Sequence, residues 1–310
     1  MKLKALSHYN GDKDTRYGDC IIISNSTQLI VYDCGHEKHA EEVGNFLRNN
    51  PLIQDVYIVI SHNDSDHTDG IIPLMNYLLN QGYQAKIYTS LYLKYVSEIE
   101  DLLNDGRRSK KSICDNILNV FDRFAEIIQK AEEFGFSVMD AKKGVTFSRA
   151  EIVGPLKEEF VEVVAKAIKE DGTGTINGET IMNAASVQLK VVLEDDSKVL
   201  LCGDAAPRYL KNLNNYDVIQ FPHHGQYNDG VEILERLGYE SYSKNYLISD
   251  NTGSSKTSGG SDELVEYMDK EKYDPAFNTL NDIVLLPDEI INRSFTRGKG
   301  VRLGDISLEY

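Results

Sequence analysis

The chain has 310 residues, 41% of them hydrophobic, with 33 Lys and Arg against 49 Asp and Glu and a formal net charge of −16. That length and apolar content allow one large domain or two modest ones around a sizeable core, and they exclude a disordered chain. The acid excess argues against a protein that coats duplex nucleic acid through a general basic surface, but not against a local basic groove or a cation-filled site.

In chain order, the opening MKLKALSHYNGDKD has a basic pair with no apolar stretch after it, and no apolar run approaches the roughly 18 residues of a membrane span. A soluble, cytoplasmic chain without a leader and without membrane partners is expected. Short strands follow at 20–24 (CIIIS) and 28–34 (QLIVYDC), separated by the turn-like NST. DVYIVI at 55–60 is too short and too β-branched for a helix, and the helical pattern IIPLMNYLLNQG comes after a polar loop. Strand, loop, helix is the order that puts loop residues at the carboxyl edge of a sheet.

Residues 91–135 read as a helical insertion, with apolar positions three and four apart from Leu91 to Ile128. Its basic turn NDGRRSKKS carries Arg107 and Arg108, either a solvated loop or a contact for phosphate. Beyond it come strand material in GVTFSRAEIVGP, an amphipathic helix from Leu156 to Ile168, and the Gly/Thr-rich DGTGTINGET. Paired strands ASVQLKVVL and KVLLCGD, then YDVIQF, a helix over GVEILERLGY, the strand YLIS, the loop DNTGSSKTSGGS and a last helix complete the pattern. No long linker and no close repeat interrupts it, so a single α/β domain over 1–310 is expected. Cys20, Cys34, Cys114 and Cys202 are scattered, without disulfide or CxxC spacing, as in a reducing compartment.

The sharpest chemical signal is SHNDSDHTDG at 61–70, directly after a strand. His62, Asp64, Asp66 and His67 fall on one tight loop and can converge on one or two divalent ions. Without a cation such a group is costly, because like carboxylates repel and burial penalises charge. An acidic surface loop is the bland alternative. Asp204, ending KVLLCG, and His223-His224, following YDVIQFP, should reach the same sheet edge. Taken singly, Asp204 could be a turn residue and the His pair a surface accident.

The loop resembles the metal-binding loop of metallo-β-lactamase-fold hydrolases, in the variant where Asp replaces the second His of His-x-His-x-Asp-His. That variant is typical of the metallo-β-lactamase domain of competence DNA-uptake channel proteins and their soluble relatives. Further matches follow in family order: Gly18-Asp19-Cys20, Asp33-Cys34-Gly35, Gly154-Pro155, Asn183 with Ser186, Leu201-Cys202-Gly203-Asp204, and Pro222-His223-His224-Gly225. The resemblance spans about residues 15–255 and implies a four-layer αββα sandwich with a metal cleft at one edge.

Carried over, it implies His62 and Asp64 on a first metal, Asp66 and His67 on a second, Asp204 as the bridging carboxylate, and His223 by preference, or His224, as a further ligand or transition-state contact. Two ligands usual in the family are missing: Asn183 or Ser186 stands in the region of the middle His, and no His follows His224, where Asp250, Asn251 and Lys256 are the polar candidates. One or two divalent ions, Zn or Mn, are expected, and the oxygen-rich set makes Mn, with Mg also open, a rival to Zn. Asp66 would orient and deprotonate a water, with His223 or Lys256 at the developing charge and Arg107, Arg108, Asn183, Ser186 and Asn251 toward substrate.

Such a site hydrolyses phosphodiesters, lactones and thioesters alike. The competence-type resemblance implies a phosphodiesterase or nuclease acting on single-stranded nucleic acid or nucleotides. A small-ester, lactone or thioester hydrolase and a metal-stabilised effector module of a larger complex remain the alternatives, and partner proteins or a homo-oligomer remain open.

Overall fold

The structure is a computed structural model, and it describes residues 1–6, 18–103, 110–170, 175–176, 179–250, 261–280 and 282–298. The chain opens with β1 (Lys2–Ala5), β2 (Ile21–Ser24) and β3 (Gln28–Tyr32), then α1 (Glu37–Asn49), β4 (Asp55–Val59), α2 (Ser65–Thr68), α3 (Ile71–Asn80) and β5 (Ala85–Thr89). Helices α4 (Val96–Leu103), α5 (Lys110–Val120) and α6 (Asp122–Glu133) lead to β6 (Ser137–Asp140). The second half runs through β7 (Thr146–Phe147), β8 (Ala150–Gly154), α7 (Lys157–Lys169), β9 (Thr175–Ile176), β10 (Glu179–Thr180), α8 (Ile181–Ala184), β11 (Gln188–Val192) and β12 (Lys198–Leu201). It closes with β13 (Val218–Gln220), α9 (Tyr227–Leu237), β14 (Asn245–Ile248), α10 (Asp262–Lys270), β15 (Phe277–Asn278), β16 (Val284–Leu286) and α11 (Asp288–Gly298).

Two mixed seven-stranded sheets result, ordered β16-β1-β2-β3-β4-β5-β6 and β15-β14-β13-β12-β11-β8-β7. Each joins an antiparallel half to a parallel half: β3 to β6 are parallel in the first, β12 to β15 in the second. The two halves thus repeat a topology that no close sequence repeat announces. The expected insertion segment holds α4, α5 and α6, which together make the crossover between the parallel strands β5 and β6.

Strand periodicity explains the layers. Ile21, Ile23, Ile30 and Tyr32 pack with Leu189, Val191, Val199 and Leu201 between the sheets. Their neighbours Ile22, Leu29 and Val31 face the other way, under Val43 and Leu47 of α1 and Leu74 and Leu78 of α3. On the far side, Leu200, Ile219 and Ile248 pack under Ile233 and Leu234 of α9 and Leu264 of α10. Strands apolar on both faces are what a doubly covered sheet requires, and the outcome is the expected αββα sandwich. Among the described residues no helix is long and apolar enough to cross a membrane.

The parallel halves aim the carboxyl ends of β3, β4, β12 and β13 at one edge, where loops can converge. Close backbone contacts fix them there. Asp19 N–H donates to the Asp66 carbonyl (2.9 Å) and Cys34 N–H to that of His67 (3.0 Å). Gly18 has φ +69°, and a Cβ there would lie 1.7 Å from the Asp66 carbonyl oxygen. Gly18→Ala therefore has to push the 61–70 loop off the β2 entrance. We expect it to cost roughly 2–4 kcal/mol of stability, read as a lower urea midpoint.

Candidate metal centre

The site is built outward from Asp33, which ends β3 in the left-handed region at φ 58°. Its carboxylate accepts from the Ser61 N–H (2.7 Å) and Ser61 Oγ (2.6 Å), tying the ends of β3 and β4 together. It also meets His67 Nδ1 at 2.9 Å. That contact turns His67 Nε2 inward, to 3.4 Å from Asp204 Oδ1.

The other two rings are held the same way. Ser61 Oγ lies 2.9 Å from His62 Nδ1, leaving His62 Nε2 at 3.6 Å from Asp204 Oδ2 and 3.9 Å from Asp64 Oδ2. Asp19 Oδ1 (3.1 Å) and the Ser249 carbonyl (2.9 Å) flank His224 Nδ1. His224 Nε2 then faces Asp66 Oδ2 at 3.3 Å. Gln220 holds Asp19 in turn, donating from Nε2 at 2.8 Å. Three imidazoles therefore present Nε2 to a shared centre while outer carboxylates or a hydroxyl fix Nδ1, the arrangement that orients metal-bound histidine.

Asp204 presents one oxygen toward His62 and the other toward His67. Donor atoms of His62, His67 and Asp204 lie within 4.8 Å of one another, as do those of Asp19, His67 and His224. His62 Nε2, His67 Nε2 and Asp204 Oδ1 are buried and make no hydrogen bond among the described residues. Buried imidazole nitrogen and carboxylate oxygen left without hydrogen-bond partners suit a divalent transition ion, so the residues fit the group.

Electrostatics point the same way. Asp19, Asp33, Asp64, Asp66 and Asp204 crowd around three imidazoles, leaving the cluster short of positive charge. Burial works to lower the His67 pKa, yet Asp204 and Asp33 outweigh it and push the ring up to about 10. His224 is raised well above its usual value against its own burial, by Asp204 and Asp19. Burial raises Asp204 despite the pull of His67, His224 and His62, while in Asp66 the contact with His224 and the charge of His67 overcome burial and hold the carboxyl low.

Of the His pair, His224 is the ring that enters the cluster. His223 is half-buried at its rim, with ring centroids 6.0 Å apart and both backbones left-handed at φ 51° and 54°. Burial and the charge of His224 push His223 down to about 3. Asn183 donates from Nδ2 to Asp64 Oδ2 (3.1 Å) and reaches Asp204 Oδ2 (3.5 Å). Ser186 Oγ donates to the Asn183 carbonyl and accepts from the Asp204 N–H, so it positions those residues and is itself fully buried. Asp250 is bonded to Ser261 Oγ. His36 caps α1, accepting from the Lys38 N–H. His8, Arg107, Arg108, Asn251 and Lys256 lie outside the described residues.

The roles of Asp19 and Asp33 are not evident from spacing. Both stand in the Gly-Asp-Cys and Asp-Cys-Gly motifs, and a carboxylate at the end of an apolar strand is the signal that points to them.

An αββα sandwich with a His/Asp cluster at the carboxyl ends of its parallel strands is the class these features define. No family model matches the chain, and no curated protein matches it. Among solved structures it is similar to the metallo-β-lactamase-fold protein YhfI of Bacillus subtilis, at 11% identity over 71% of this chain and 70% of that one, TM-score 0.36. It is also similar to the short form of human tRNase Z, at 11% identity over 71% and 77%, TM-score 0.37. A Cronobacter sakazakii metallo-β-lactamase gives 14% identity over 92% and 87%, TM-score 0.33. Likeness at this level carries no activity from those proteins to this chain.

Two predictions follow from the geometry. Asp33→Asn keeps the left-handed backbone and the acceptor for Ser61 but can present its amide nitrogen, instead of a carboxylate oxygen, to His67 Nδ1. Zinc or manganese affinity, measured by competition with a chelating dye, should fall roughly 10–100-fold. Asp229, in the first turn of α9, is buried with Oδ2 unbonded among the described residues, and burial pushes its pKa up to about 7, with Glu232 and Asp204 adding repulsion. Its raised value means stability that is present below the unfolded-state pKa and lost as pH rises toward 7. Asp229→Asn removes that loss, so its melting temperature should exceed the wild type's by a margin that grows between about pH 4 and about pH 7.5.

Proposed function

We propose that the chain is a metal-dependent hydrolase whose substrate carries a phosphodiester, in single-stranded nucleic acid or a nucleotide. The observation that carries the hydrolase reading is the convergence of three inward Nε2 atoms on Asp204 and Asp66, with each outer nitrogen held by a partner of its own. His62, His67, His224 and Asp204 would hold the ion or ions, with Asp64 and Asp66 at the open side. A divalent metal there supplies Lewis acidity and a nucleophile at neutral pH.

The chain's own residues do the rest. Asp66 is the cluster carboxylate fastened to His224 yet still 22% exposed at its side chain, so it can orient a water and take its proton at Oδ1 or Oδ2. Asn183 fixes Asp64 and Asp204 against the substrate side. His223, at the rim, would hydrogen-bond the departing oxygen. The buried floor of β3, β4, β12 and β13 excludes bulk water, which strengthens each of these contacts.

The preference for a phosphodiester rests on the competence-type form of the 61–70 loop, Asp64 in place of a second His. The imidazoles suit Zn, and the carboxylates make Mn its rival. All four cysteines are free and three are buried, which fits a reducing cytoplasm.

To test this, purified protein is incubated with labelled single-stranded DNA, RNA and cyclic dinucleotides plus Mn²⁺ or Zn²⁺, beside the Asp66→Ala variant. Metal-dependent cleavage that falls at least about a hundredfold in the variant is expected. No cleavage of any of them would sink the phosphodiester reading, and turnover of a thioester or lactone instead would move the chain to carbonyl substrates.

A further inference from the structure

A second polar cavity lies apart from the metal centre, on the outer face of the second sheet. Its volume is about 460 Å³, and Lys143, Lys190, Lys198 and Lys211 line it with a single acid, Glu151. Strand register explains the place. Lys190 of β11 sits opposite Leu200 of β12 and Glu151 of β8, so all three share the outward face. Helices α9 and α10 cover that face over β12, β13 and β14, whereas the cavity opens beside them, over β8 and β11.

Lysines from four separate segments converge here, so this is no charge run of the sequence. Glu151 pairs with Lys190, and Lys211 meets Glu159 at 3.0 Å. Lys143 and Lys198 have no ion-pair partner among the described residues and are exposed. Asn212, Asn215 and Tyr216 add amide and hydroxyl groups to the lining. Burial pushes the Tyr216 hydroxyl up to about 12, so it remains a donor.

Converging ammonium charges with amide and hydroxyl donors, in a hollow the size of a small-ligand site, match the chemistry of clustered phosphates. We propose that this cavity is a binding site for a ligand carrying two or more phosphate groups, separate from the metal centre. The ligand is a small oligophosphate or a stretch of nucleic-acid backbone, which present the same groups.

The test titrates the full chain with inorganic tripolyphosphate by calorimetry and with fluorescein-labelled oligothymidylate by anisotropy, at low salt. Wild type is compared with Lys143→Glu/Lys198→Glu and with Asp66→Ala. The double lysine variant should bind at least about tenfold more weakly, with a salt slope lower by about 1.4 where the single-stranded oligonucleotide is bound. Its metal content should equal the wild type's, and Asp66→Ala should retain the binding. Tripolyphosphate binding alone identifies a small ligand, and oligonucleotide binding identifies a strand. If the charge reversals lower the melting temperature, Gln at both positions carries the comparison. Wild type binding neither probe, or the lysine variants binding as tightly as wild type, overturns the proposal. Because binding is read directly, that result is distinct from a failure to hydrolyse.

Discussion

The structure depends on a problem of charge: five carboxylates meet at the carboxyl edge of two stacked sheets, several of them fully buried. Unpaired, such groups would each cost several kcal/mol. The fold answers by giving each acid a directed partner. Asp33 takes Ser61 and His67, Asp19 takes Gln220 and His224, and Asp204 stands between His62 and His67. What these pairings do not supply is enough positive charge. The upward push on His67 and His224 reflects that deficit, and a divalent cation would meet it with fewer particles and better geometry.

The same constraint accounts for backbone irregularities that would otherwise look like defects. Asp33, His223 and His224 all adopt left-handed conformations, which non-glycine residues tolerate only where surroundings over-determine them. At Asp33 the reward is three contacts from one carboxylate. At 223–224 the tight turn swings His224 under Ser249 and leaves His223 at the rim. Gly203, at φ +52°, lets the Asp204 loop come so close that a Cβ would meet Ser61 Cβ at 2.7 Å. The geometry of the His/Asp cluster and the packing of the two sheets are thus set by the same few turns.

Much of this was legible in the sequence because it is local. The 61–70 loop follows a β-branched run, and Asp204 and the His pair each end an apolar strand, so periodicity alone sends them to one edge. The outer partners were less legible, because what distinguishes Asp19 and Asp33 from turn acids is burial, which depends on how the two sheets meet. The choice between His223 and His224 turned on which ring the tight turn brings to Asp19, Ser249 and Asp66, and adjacent identical side chains do not reveal that. Short strands such as β1 and β16 carry too few residues to show a period, and they pair only because the chain's far ends return to each other.

The lysine-lined cavity extends that lesson to charge. A net charge of −16 describes the chain as a whole and treats every lysine as part of a solvated average. Strand register overrides the average: alternation puts Lys190 and Lys198 on the outward face, and the turns before β7 and after β12 bring Lys143 and Lys211 beside them. Long-range repulsion from an acidic body is screened within about 10 Å at ordinary ionic strength, so at contact distance it is the local set of ammonium groups that decides what binds. An acidic protein can therefore carry a phosphate-binding surface without contradiction, provided the lysines are gathered by topology and not by sequence.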